Sequence, residues 1–146
     1  MRWEGAVKVV LCFGWIDSKV QSLGNGKRMQ YFSPRNPRGN WNALNKKHVK
    51  ELIATGLMQE SGYKMIELAK QTGTWTAMDD VENGVIPQNL QKYFNENKRT
   101  FQNYRNFSFG YRKGYLSWLH IAKRKETRNK RITEIIRLCK ANIKSR

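Results

Sequence analysis

Eight residues, Leu11-Cys12-Phe13-Gly14-Trp15-Ile16-Asp17-Ser18, constrain this chain more than any others: five large or apolar side chains crowd round one glycine, and two polar residues end the run. Upstream, Val7, Val10 and Leu11 recur at helical spacing, and downstream the pattern is that of a hairpin. The octet therefore predicts a helix end that turns at Gly14 into a first strand, inside the fold. Leu23-Gly24-Asn25-Gly26 supplies a hairpin turn, and Lys27 to Ser33 a return strand with Met29 and Tyr31 on one face and Gln30 and Phe32 on the other. A two-stranded ribbon is marginal alone and must rest on helices.

The remainder reads mostly as helix. Asn42 is a cap for a helix through Leu44, Val49, Leu52 and Ile53 that stops at Gly56, and a second runs from Glu60 to Gln71 and ends at Gly73. After an acidic, irregular stretch from Trp75 to Gly84, Pro87 opens a helix over Gln88 to Asn95 with Leu90, Tyr93 and Phe94 inward. Aromatics three apart between Phe101 and Phe107 predict another. Ser108 then caps one spanning Tyr111 to Lys123, with Tyr115, Leu116, Trp118, Leu119 and Ala122 inward. Last, Ile132, Ile135, Ile136, Cys139 and Ile143 mark the apolar face of a basic helix from Glu126.

The expected class is α+β: a predominantly helical single domain over residues 1–146, with a small antiparallel β-hairpin packed on helices. Its segments are 1–41 (helix, hairpin and a Pro/Arg loop), 42–73 (a helical hairpin) and 87–146 (a C-terminal helical region). A chain of 146 residues is long enough to bury one core.

Charge narrows the partners. With 28 Lys and Arg against 11 Asp and Glu, the formal net charge is +17, which implies attraction to a polyanion: nucleic acid, anionic lipid or an acidic protein. The C-terminal quarter concentrates it, with twelve cations and two glutamates from Arg112 to Arg146. No stretch approaches the roughly 20 apolar residues of a membrane helix. Cys12 and Cys139 lie far apart in apolar settings, as buried reduced thiols would; the alternative disulfide requires an oxidising compartment. The N-terminus offers no signal peptide, so a cytoplasmic protein is expected.

Three blocks together resemble the YdeI/OmpD-associated family, also described as bacteriocin-protection proteins: Cys12 to Ser18, Phe32 to Trp41 (FSPRNPRGNW) and Trp118 to Arg128 (WLHIAKRKETR). The resemblance implies a small α+β domain ending in helices and a non-enzymatic role in resistance to bacteriocins or cationic antimicrobial peptides, with an association to the cell envelope suggested by the family's name. Members usually carry a further N-terminal segment that includes a strand, whereas Cys12 here follows Met1 by eleven residues. The chain thus resembles a member shortened at the N-terminus, or one whose start is mis-assigned; a shortened sheet would expose an edge.

For a site, the strongest candidates are Arg35, Arg38, Lys123, Arg124, Arg128 and Arg131, as an anion-binding patch. A guanidinium on a Pro-stiffened loop can grip a phosphate or carboxylate through two parallel hydrogen bonds. The competing account pairs Arg35 and Arg38 with internal acids and leaves the C-terminal cations solvated. Trp41, after the basic loop, is a candidate exposed aromatic. Cys12, Asp17 and His120 could be imagined as nucleophile, orienting acid and base, but a thiol in an apolar run is inert and Asp17 suits a turn. With His48 and His120 the only histidines and no Cys or His beside them at ligand spacing, no metal is expected; with no polar cluster of the kind a catalytic cleft needs, neither a cofactor nor enzymatic activity is expected. The leading expectation is a protection protein that binds an anionic partner; the alternative is a nucleic-acid-binding module.

Overall fold

A computed structural model describes residues 2–146 and shows a mainly helical α+β chain. Where the length suggested one domain, the chain divides into two compact units, one running to Met78 and one from Asp79 to Arg146. The boundary falls inside the acidic stretch.

In the N-terminal unit, α1 (Trp3–Cys12) leads into an antiparallel hairpin of β1 (Trp15–Gly24) and β2 (Lys27–Pro34), followed by α2 (Ala43–Ala54) and α3 (Glu60–Thr72). Gly14, at φ +76°, makes the turn between α1 and β1, a conformation that a side chain would strain. The hairpin closes on Asn25 and Gly26, both at positive φ as a type I′ turn demands. Register runs from Trp15 opposite Pro34 to Gly24 opposite Lys27. The Asn42 side chain accepts from the Asn45 N–H at 2.8 Å and caps α2, while Gly56 and Gly73 take the left-handed positions that end α2 and α3.

Val7, Leu11, Cys12, Trp41, Val49, Leu52, Met58, Ile66 and Ala69 form this unit's core, with Phe32 and Trp75 packed against it. The octet is not interior throughout. Leu11, Cys12 and Gly14 are buried, but Phe13 and Trp15 are exposed, because a helix end followed at once by a strand sends neighbouring side chains to opposite sides.

The C-terminal unit contains α4 (Asp79–Glu82), α5 (Gln88–Glu96), α6 (Lys98–Asn106), α7 (Phe109–His120) and α8 (Lys125–Lys140). Leu90, Phe94, Tyr104, Tyr115, Leu116, Leu119, Ile132, Ile135 and Cys139 are buried. Phe94 lies 5.1 Å from Phe101 and 4.9 Å from Tyr104, ring centre to ring centre. Tyr93, expected inward, is exposed. Ile143, expected on the last helix's apolar face, lies beyond that helix's end: Asn142 adopts a left-handed conformation, and the Ile143 N–H returns to the Leu138 carbonyl at 2.9 Å. The Ile143 carbonyl accepts from the Tyr115 hydroxyl at 2.7 Å.

Burial makes this unit sensitive to alkali. It pushes the Cys139 thiol from 9.0 up to about 12 and the Tyr104 hydroxyl from 10.0 up to about 12. Between the unfolded and folded values the unfolded chain has already lost protons that the folded unit retains, so stability is full below about pH 9 and falls as pH rises toward 12. Thermal unfolding followed by circular dichroism should show the melting temperature dropping across that window. Cys139→Ala should flatten the drop at its lower end. A melting temperature constant from pH 8 to 12 would refute this.

Candidate anion-binding surface

The two arginines of the Pro/Arg loop part company. Arg35, directly after β2, donates its backbone N–H to the Gly14 carbonyl at 3.0 Å, which ties the strand end to the turn after α1. Its side chain goes inward and is only 5% exposed. The guanidinium carbon stands 3.5 Å from the centre of the Trp41 ring, and Nη1 donates to the Asn40 carbonyl at 3.2 Å. Nε and Nη2 are buried with no hydrogen-bond partner among the described residues. Burial pulls the group from 12.5 down to about 10, against the opposing pull of the Asp17 carboxylate. Arg38 remains outside on a turn in which its N–H donates to the Asn36 side chain at 2.9 Å.

Trp41 is therefore not an exposed aromatic. At 2% exposure it is core, packed 5.0 Å from Trp75 at a 52° tilt and covered by Arg35. The Trp41 backbone N–H donates to the Thr74 carbonyl at 3.4 Å, and the indole joins the core with Val49, Leu52 and Ile66.

The C-terminal unit provides the open cationic surface. Between α7 and α8 the chain buries Ala122 and exposes Lys123 and Arg124. Arg124 is the N-cap residue of α8, and no side chain caps that end. The first-turn N–H groups and the helix dipole consequently add positive potential to that of Lys123, Arg124, Lys125 and Arg128, all of them exposed. The one acid in the first turn, Glu126, pairs with Lys130 at 2.8 Å. Among the described residues Lys123, Arg124 and Lys125 form no ion pair. Arg128 reaches the Ala122 carbonyl at 3.5 Å. With His120 and Asp80 it lines a small hollow of about 130 Å³.

Residues 83–142 match the family model described as bacteriocin-protection, YdeI or OmpD-associated. The match takes in α5 to α8 and includes the third sequence block, Trp118 to Arg128. The first two blocks fall elsewhere, in residues 1–65, which match a model described as a domain of unknown function, DUF8412. No curated protein and no solved structure matches the chain.

Within the bacteriocin-protection match, Arg131 differs from its neighbours. It is half-buried, donates through Nη1 to the Trp118 carbonyl and lies 4.9 Å from the Trp118 ring, which Arg146 also approaches at 4.3 Å. It ties α8 to α7. Of the six cations proposed from sequence, then, Lys123, Arg124 and Arg128 share one exposed corner, Arg38 is exposed on the N-terminal unit, and Arg35 and Arg131 are turned into structure. That His120 shares the hollow with Asp80 and Arg128 has no sign in the sequence, because residues forty apart give no local indication of lying together.

The chemistry for catalysis is not assembled around Cys12. Its thiol is buried, donates to the Lys8 carbonyl at 3.3 Å and is raised by burial, which keeps it protonated. Both cysteines are free. Among the described residues no group of His, Cys, Asp and Glu could hold a metal ion. No helix among them is long and apolar enough to cross a membrane.

Proposed function

We propose that this chain is a non-enzymatic protection protein of the bacteriocin-protection type that acts by binding an anionic partner at the α7–α8 corner. The observation that carries the reading is the uncapped start of α8 with Lys123, Arg124, Lys125 and Arg128 exposed around it. A surface of this sign repels cationic peptides, so protection by direct sequestration is physically unfavourable and an anionic target is the better fit. With 28 cations and 11 acids in the chain, internal pairing cannot neutralise it.

The test is survival of cells challenged with a cationic bacteriocin, carrying either the wild-type chain or a Lys123→Gln/Arg124→Gln/Arg128→Gln variant. These side chains are exposed, so the variant should fold normally and lose protection. Full protection by the folded variant sinks the reading.

A second reading, nucleic-acid binding, draws on the hairpin. Lys19, Lys27 and Arg28 are exposed on a two-stranded ribbon whose Val20, Leu23, Met29 and Tyr31 are also exposed, and a ribbon of this width fits a DNA major groove. Fluorescence anisotropy with a labelled duplex and a labelled single-stranded RNA separates the two. Binding through six or more phosphates should weaken by roughly 10³-fold or more between 50 and 200 mM salt. No binding at the low-salt end removes this alternative and leaves the first.

A further inference from the structure

Four lysines of the N-terminal unit surround an apolar floor. Lys46, Val49, Lys50 and Ile53 follow one another at i, i+3, i+4 and i+7 on a single face of α2, and Lys47 flanks them. Ile66 and Lys70 of α3 face them, and Trp75, which the chain reaches just after Gly73, closes the arrangement. The result is a groove of about 500 Å³ floored by Val49, Ile53, Ile66 and Trp75, with Lys46, Lys47, Lys50 and Lys70 as its rim.

Trp75 is fixed from behind. Its ring packs on Trp41, its backbone N–H donates to the Ala69 carbonyl at 3.1 Å, and its backbone carbonyl accepts from Lys46 Nζ at 3.1 Å. Lys46 and Lys70 hold their ammonium groups 5.5 and 5.8 Å from the ring centre. Ile53 is exposed although it stands on the floor. Lys70 shares its charge with Glu67 at 3.6 Å, whereas Lys47 and Lys50 form no ion pair among the described residues. Glu51, the acid of α2, is engaged by Lys8 at 2.9 Å.

Lysine stems can cover apolar surface while their heads stay in water, so a single lysine beside Ile53 would call for no explanation. Lys47, Lys50 and Lys70 round one concavity are another matter: like charges at the rim repel one another, and an anion among them relieves that repulsion as it enters. The volume lies within the range of small-molecule sites, which combine an apolar lining with a few charged groups that fix orientation.

We propose that the groove between α2 and α3 binds a small amphipathic carboxylate, with its alkyl chain along Val49, Ile53, Ile66 and Trp75 and its head among Lys47, Lys50 and Lys70. The site lies in the N-terminal unit and does not depend on the protection reading, which rests on the α7–α8 corner.

Isothermal titration of the full chain with dodecanoate, below its micellar concentration, tests it. One saturable site is expected, with chemical-shift changes in an NMR titration confined to the groove, at Val49, Ile53, Ile66 and the Trp75 indole under the alkyl chain and at Lys47, Lys50 and Lys70 round the head. Ile53→Glu, at an exposed helical position, should weaken binding at least about tenfold, because a carboxylate in the place of the apolar floor pairs with the rim lysines, among them Lys50 three residues before it, and competes with the ligand's head for them. Lys50→Gln/Lys70→Gln should weaken it several-fold and reduce its salt dependence. Arg124→Gln/Arg128→Gln should leave it unchanged. Dodecyltrimethylammonium, with the same chain and the opposite charge, should not bind. Absence of saturable dodecanoate binding, equal binding of the ammonium compound, or an Ile53→Glu variant of wild-type affinity would each overturn the proposal.

Discussion

Replacing Gly62 with alanine will destabilise the N-terminal unit by about 1–3 kcal/mol, although the same substitution in a helix interior ordinarily stabilises. Gly62 is buried in α3, and its φ needs no glycine; what it needs is room. A Cβ there would run into the Cys12 carbonyl at the end of α1 and the Met58 sulfur. Met58 is a flexible side chain and can yield. The Cys12 carbonyl cannot, because it is backbone held in place by the Gln59 N–H, 3.1 Å away, beside the Gly14 turn. The steric term therefore outweighs the helix-propensity gain of about 1 kcal/mol.

Gly114 of α7 provides the opposite sign. A Cβ built there meets nothing within 4 Å, so Gly114→Ala should stabilise by about 0.5–1 kcal/mol. Urea unfolding of both variants against wild type measures the two effects in one experiment. A neutral or stabilising Gly62→Ala would mean that α1 and α3 do not approach as closely as described.

Trp41→Ala should cost about 3–5 kcal/mol, the range for deleting a buried indole. Its cost has a second source besides the cavity. Arg35 loses the ring that covers it, which leaves a buried guanidinium with Nε and Nη2 already unpartnered. Arg35→Met added to Trp41→Ala should recover part of the loss, because it removes the buried charge that the ring no longer covers. A double-mutant cycle should then return a coupling of about 1–2 kcal/mol, whereas strict additivity would show that the two side chains do not depend on each other.

Much of the fold is legible from short-range chemistry. Asn42 announces the start of α2, Gly56 and Gly73 announce where helices end, and Asn25-Gly26 announces the hairpin turn, since each acts through its own backbone or a neighbour three residues away. The apolar spacing of Ile132, Ile135 and Cys139 announces the buried face of α8 for the same reason. Ile143 broke that pattern because periodicity carries no sign of where a helix stops, and Asn142 ended it first. Phe13 and Trp15 were misplaced because hydrophobicity does not say which side of a chain reversal a residue takes.

The candidate sites were legible only in part. The charge of +17 and its concentration after Arg112 can be read by counting. Counting does not distinguish Arg124, left in solvent at the start of a helix, from Arg131, bonded to the Trp118 carbonyl, or Arg38 from Arg35. Lys46, Lys50 and Lys70 likewise look like ordinary solvated cations until α2 and α3 are laid side by side.

The sequence alone determined most of the secondary structure, though not α4 within the stretch that reads as irregular, and it determined the sign of the net charge and the absence of a long apolar span, because these depend on residue type and on spacings of a few residues. Tertiary structure alone decided which arginines were consumed by packing, why Gly62 must be glycine, and that a lysine-rimmed groove exists. Each of those depends on which atoms, distant in the chain, come within a few ångströms of one another, and pairwise approach of that kind leaves no periodic trace in the order of residues.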